Sequence, residues 1–251
     1  MKAQQKNYPI IEAICEFRFD PASPWDVALP GLVSAELKTE FPKRKQRRIF
    51  AGQLTPGPQG PFQQTTVVDR MQLYTESEKA LVQVNNHLLS VNVLAPYSSW
   101  EEFKPLIEQG LRAYRQVCSP VGIQRVGLRY INRIVISGTR ADLESYFDFR
   151  PYVGRNLPQN LAEFACRVVI PYEDRRGFLS LQIRSEAARE GGLPVVLDLD
   201  LFTEDPAVAT LDNAINWVDG AHTELDRVFR ASITDQTRAL LGWGEVEANG
   251  S

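Results

Sequence analysis

The sequence predicts an α+β protein built on one large, mainly antiparallel sheet with its helices on one face. Two observations predict it. Segments with a period of two recur along the chain, the mark of half-buried strands. Stretches of helical spacing interrupt them at matching places, so the order strand, helix, strands, helix occurs twice. The chain therefore divides into residues 1–120 and 121–251, two α+β halves that share a sheet or core.

Ile10 to Asp20 alternates, with Ile11, Ala13, Cys15, Phe17 and Phe19 on one face. Glu12, Glu16, Arg18 and Asp20 take the other face, together with Ile10 and Ile14. Ser23-Pro24 is a helix-start signal, and Pro30-Gly31 interrupts it, which predicts a main helix over Leu32 to Phe41. Arg47 to Leu54 and Thr65 to Thr75 read as strands around a Pro- and Gly-rich tip at residues 55–61. Ala80 to Val84 and Leu88 to Leu94 follow, joined by a turn at Asn85-Asn86-His87. Ser99 and Glu102 form a capping box for a helix to about Val117, which Pro105 should kink or restart.

The second round begins with a long strand, Ile123 to Ile136, and a short helix, Asp142 to Phe147. A Pro- and Gly-rich loop covers Phe149 to Asn160. Glu163 to Tyr172, Phe178 to Arg184 and Val195 to Phe202 are predicted strands, with a hairpin tip over Ser185 to Pro194. A long helix from Val208 to Phe229 closes the round. Thr234 caps a final short helix that Gly242 ends.

Composition narrows the function. The 251 residues carry 28 Lys plus Arg against 31 Asp plus Glu, a net charge of −3. That balance argues against a general nucleic-acid coat, which would be strongly basic. No apolar run approaches the ~20 residues of a membrane-spanning helix, and residues 1–7 lack the apolar core of a secretory signal. The expectation is a cytoplasmic protein without a membrane partner. Three scattered cysteines and two histidines suggest neither a disulfide framework nor a zinc site. Phosphate-binding loops of the Gly-x-x-x-x-Gly-Lys type and dinucleotide fingerprints are absent, so no cofactor is predicted.

The strongest motif is Arg125-Val126-Gly127-Leu128-Arg129-Tyr130-Ile131-Asn132-Arg133. In a strand it puts Arg125, Arg129 and Arg133 on one face, successive ones ~13 Å apart. They are too far apart to clamp one phosphate. They can line a groove for an extended anion or pair with carboxylates on neighbouring strands. Glu12, Glu16, Asp198 and Asp200 are the available acids, and the two aspartates, ~7 Å apart, are weak metal candidates that need a third oxygen ligand. Residues 43–48 hold five basic residues, among them Arg47 and Arg48, which read as a partner contact or as a solvated strand entry that blunts a sheet edge. His87 in a turn and His222 in a helix give no sign of a Cys–His nucleophile.

Three segments together, Pro9 to Asp20, Arg125 to Ile134 and Phe229 to Leu241, resemble a sporadically distributed family of uncharacterised bacterial proteins of similar length. Arg-x-Gly-x-Arg-Tyr-x-Asn-Arg carries most of that resemblance. The resemblance supplies no catalytic residues to carry over, and the family's patchy distribution implies a mobile or defence-associated setting. A second likeness is to triphosphate-tunnel proteins, which place alternating glutamates on a first strand and arginines on later ones. Here Glu12 and Glu16 are four apart with Ile14 between them.

Two readings follow. The first is a non-enzymatic binding or regulatory protein, of a defence or toxin–antitoxin-like kind, that meets a protein partner through Arg125, Arg129, Arg133, Glu12, Glu16, Arg18, Arg47 and Arg48. A homodimer through the long C-terminal helix is a further expectation. In the first reading a nucleic acid is also a candidate partner through the arginine stripe. The alternative is a tunnel that binds a nucleotide or polyphosphate there, with metal-dependent hydrolysis or sensing.

Overall fold

The computed structural model describes residues 8–55, 62–138, 142–159, 161–174, 176–188 and 192–243; the side chains of 48–55 and 62–69 fall outside the description. The first half runs β1 (Ile10–Phe19), α1 (Leu29–Glu36), β2 (Lys43–Thr55), β3 (Phe62–Tyr74), β4 (Ala80–Asn85), β5 (Leu88–Leu94) and α2 (Trp100–Cys118). The second runs β6 (Ile123–Ile136), α3 (Leu143–Tyr146), β7 (Ala165–Pro171), β8 (Phe178–Ser185), β9 (Leu193–Thr203), α4 (Ala214–Ser232) and the short α5 (Asp235–Leu240).

All nine strands form one antiparallel sheet in the order β2-β3-β4-β5-β1-β6-β9-β8-β7. The two halves meet at its centre, where β1 pairs with β6. On each side the last strand of the half, β5 or β9, lies next to its first strand. A 19-residue helix follows in both cases, α2 after β5 and α4 after β9. The duplicated element order is thus also a duplicated arrangement in space. Among the described residues the sheet is open, with β2 and β7 as its edges.

One face of the sheet is apolar. Ala13, Cys15, Phe17, Phe19, Val126, Leu128, Leu197 and Leu199 are buried there beneath the helices. In α2, Phe103, Ile107, Leu111 and Tyr114 return every third or fourth residue and are all buried. Each such side chain contributes about 1.5–3 kcal/mol relative to exposure. Ring stacking of Phe19 on Tyr114, with centroids 4.2 Å apart, ties β1 to α2.

Several local expectations need correction. The first helix starts at Leu29, before Pro30-Gly31, because a proline in the first turn has no hydrogen bond to lose. It ends at Glu36, and turns carry the chain to Phe41. Pro105 does not restart α2, which continues through it. The long C-terminal helix begins at Ala214, since residues 205–213 form turns anchored on Asp205 and Thr210 carbonyls. Residues 163–164 precede β7. Ile10 lies on the core side, because the β1–β6 register shifts between Ile10 and Glu12. Thr234 stands at the cap position of α5, but its hydroxyl donates to Ser145 O at 2.6 Å. Of the predicted tip at residues 55–61, Thr55 ends β2 and residues 56–61 lie outside the described residues.

Candidate functional site

The second face of the sheet is a band of charged and amide side chains. It begins on β3, where the Tyr74 hydroxyl donates to Gln72 Oε1 at 3.1 Å. Gln72 Nε2 donates to Gln83 Oε1 at 3.0 Å, and Gln83 Nε2 to Asn92 Oδ1 at 3.1 Å. Ser90 Oγ also donates to Asn92 Oδ1, at 2.8 Å, and Asn92 Nδ2 donates to Glu12 Oε1 at 2.7 Å. The run crosses four strands and ends on a carboxylate. Gln72, Gln83, Ser90 and Asn92 are all buried.

The charges follow. Arg18 lies directly opposite Arg125 in the β1–β6 register, an unfavourable pairing of like charges. Glu16 resolves it. Its Oε1 accepts from Arg18 Nε at 2.8 Å and from Arg125 Nη1 at 3.0 Å. Arg125 Nη2 reaches Asp200 Oδ2 at 3.1 Å, and its guanidinium lies 4.5 Å over the Phe202 ring. Arg129 grips Asp198 with two bonds, and that partnership holds the guanidinium's pKa above its ordinary value. Burial raises the Asp200 carboxyl above its ordinary value, while Arg125 and Arg129 oppose the shift.

Arg133 pairs with Glu186, which follows β8. Nη2 donates to Oε1 at 3.2 Å, while Nε sits 2.9 Å from Oε2 at too poor an angle for a hydrogen bond. Arg184 Nη1 adds a bond to Glu186 Oε1 at 3.3 Å. The hydrogen bond from Arg133 holds the Glu186 carboxyl below its ordinary range.

Each arginine of the stripe therefore has its own carboxylate. The candidates Glu12, Glu16, Arg18, Arg125 and Arg129 belong to one continuous band with Asp198 and Asp200. Arg133 sits farther along the same face. Asp198 and Asp200 turn to different arginines, and among the described residues no group of three His, Cys, Asp or Glu is arranged to hold a metal ion. Arg47 is elsewhere, exposed on the β2 edge and opposite Arg70. The side chain of Arg48 lies outside the described residues. Within the same basic run, Lys43 and Lys45 are tied to the β3–β4 turn, where Lys45 Nζ lies 2.6 Å from Glu78 Oε2.

Two members of the site were missed by sequence reasoning. Glu186 falls in what reads as a hairpin tip, and nothing in the spacing ties it to an arginine 53 residues earlier. Gly127 looks like an ordinary strand residue, yet a Cβ there would stand 2.8 Å from Arg125 Nη1. Its bare backbone is the space in which Arg125 lies across the sheet; the glycine inside the Arg-x-Gly-x-Arg motif is the signal that could have revealed it.

Cys15 and Cys118 offer no reactive thiolate. Burial pushes the Cys15 thiol well up and the Cys118 thiol up to about 11. No helix among the described residues is long and apolar enough to cross a membrane. No family model matches the chain, and no curated protein matches it.

Proposed function

We propose that this chain is a non-enzymatic binding or regulatory protein that engages a protein partner through the polar face of its sheet. The observation that carries this reading is the charge balance of the band. Arg18, Arg125, Arg129, Arg133 and Arg184 pair with Glu16, Asp198, Asp200 and Glu186, while Glu12 accepts from Asn92 and Arg167 donates to Ser180; all are fixed by strands or by the residue just after β8. A polyphosphate would have to compete with these carboxylates for each guanidinium. A polypeptide surface of mixed charge and amides can instead meet both signs in register. The openness of the sheet also favours this reading over a tunnel that encloses a phosphate chain. The resemblance to a sporadically distributed bacterial family is compatible with a partner from a defence or toxin–antitoxin-like system.

Capture from the native organism tests the proposal. Wild type should retain a partner that Arg18→Glu and Arg129→Ala/Arg133→Ala both lose. Arg18 is 53% exposed, so its replacement leaves the core intact. Undiminished capture by both variants would make the band structural. Metal-dependent phosphate release from a nucleoside triphosphate would transfer support to the tunnel reading.

A further inference from the structure

The helix-covered side of the sheet holds a cavity of about 290 Å³ where the two halves meet. Tyr130 and Asn132 of β6 line it, as do Tyr97 and Trp100 at the entrance to α2 and His222 on α4. Its polar groups offer acceptors. Asn132 is only 2% exposed, and its Nδ2 is committed to the carbonyls of Tyr130 at 3.3 Å and Leu197 at 3.1 Å. That leaves its Oδ1 as an acceptor with no donor among the described residues. An acceptor so deeply buried calls for a donor. The Tyr97 hydroxyl is also buried, beside that of Tyr130.

The remaining wall is aromatic and carries little positive charge. His222 stacks on Trp100 with ring centroids 4.3 Å apart, and its Nδ1 lies 2.9 Å from the Tyr130 hydroxyl. Burial lowers the imidazole's pKa and disfavours its charged form, against the opposing pull of Asp226, Glu101 and Asp219. The one cation of the lining, Arg230, is held by Asp226 at 2.8 Å and lies over the Trp243 ring. Glu101 at the rim makes no ion pair with a lysine or arginine among the described residues, and His222 is the basic group that it senses. The start of α2 would by itself favour an anion. Glu101 already supplies one, held below its ordinary range by its own backbone N–H and by Ser99.

We propose that this cavity binds a small organic ammonium ion, whose N–H groups meet Asn132 Oδ1 and whose charge is matched by Glu101 and the surrounding rings. Rings that present their faces to a cation favour such a ligand, more so where water is excluded. The site is separate from the polar face, since it lies on the opposite side of the sheet.

Calorimetric titration with three isosteric probes tests it: 2-phenylethylammonium, 2-phenylethanol and 3-phenylpropionate at pH 7. Probes this small bind in the high-micromolar to millimolar range. The ammonium should bind with Kd below about 1 mM, and at least about tenfold more tightly than either isostere. Glu101→Gln should weaken the ammonium by about three- to tenfold and leave the alcohol unchanged. Glu101 is exposed, so the variant keeps its fold. Binding of the carboxylate or the alcohol as tightly as the ammonium would overturn the proposal. So would an unchanged ammonium affinity in Glu101→Gln, or no binding of the ammonium at about 10 mM.

Discussion

Arg129 holds Asp198 through two parallel hydrogen bonds, Nε to Oδ1 at 2.7 Å and Nη2 to Oδ2 at 2.5 Å, although its direct cross-strand neighbour is Asp200. The bond runs diagonally, and Asp200 is left for Arg125. Long side chains reach such diagonal partners easily. The two members of the pair differ in exposure, 42% for the arginine and 12% for the aspartate. That difference sets the first prediction. Arg129→Ala strands a mostly buried carboxylate and should cost about 2 kcal/mol. Asp198→Asn leaves an arginine that reaches water and should cost about 1 kcal/mol or less. Urea denaturation of both variants measures the asymmetry, and equal losses would contradict it.

Gly127 makes room for the Arg125 guanidinium. Gly127→Ala should push that group off Glu16 and Asp200 at a cost of about 1 kcal/mol. In an Arg125→Ala background the same alanine has nothing to displace. There it should be neutral or slightly stabilising, because glycine inside a strand is entropically costly. A double-mutant cycle should therefore give a coupling of about 1 kcal/mol between two residues that share no bond. Additive losses would assign the glycine some other role.

The sequence made the alternation of β1 and β6 visible because each has one face in the core and one in the polar band. Leu88–Leu94 and Ile123–Ile136 are strands over the predicted residues. The arginine stripe and its acids were legible for the same reason, since side-chain direction in a strand follows from parity alone. Who pairs with whom was not legible. Arg129 prefers the diagonal aspartate, and Arg133 finds Glu186 beyond the end of β8; both depend on register and loop path, which no local pattern encodes. The start of α1 was misread because Pro30 can break a helix or open one, and tertiary packing decides. The cavity was hidden for a different reason. Tyr130 and His222 are 92 residues apart, and each looks locally like a packing residue.

Asn92 is the junction of the buried amide run. It accepts from Gln83 and Ser90 and donates to Glu12, while only 3% exposed. Asn92→Ala should cost about 2–4 kcal/mol, because it leaves two donors and a carboxylate without their partner. Gln83→Leu/Asn92→Leu removes both members of one bond and should cost less than the sum of the two single leucine changes. Chemical denaturation of the three leucine variants reads this directly. A double loss equal to the sum would mean that the run acts as independent polar groups.

Glu224 is the most buried carboxylate that ties α4 to the β7–β8 hairpin. It accepts from Tyr172 Oη at 2.5 Å, from Arg227 Nη2 at 2.7 Å and from Arg176 Nη1 at 3.3 Å. The Arg227 hydrogen bond is the main cause that holds its pKa below the ordinary value, against the opposing effect of burial. A carboxyl whose folded pKa is depressed binds fewer protons in the native state than in the unfolded one near its titration. The stability it contributes is complete above the unfolded pKa and is lost as pH falls through the folded one. Wild type should thus exceed Glu224→Gln by about 1–2 kcal/mol at neutral pH, a modest figure because Arg227 and Arg176 are well exposed. The gap should begin to close below about pH 4.3, the ordinary glutamate value, and continue to close as the native carboxyl takes up its proton. Urea midpoints of both proteins at intervals from neutral to acid pH would trace the closure. A gap that stays constant across that range would show that the position is stabilised by shape and neutral hydrogen bonds, without a contribution from its charge.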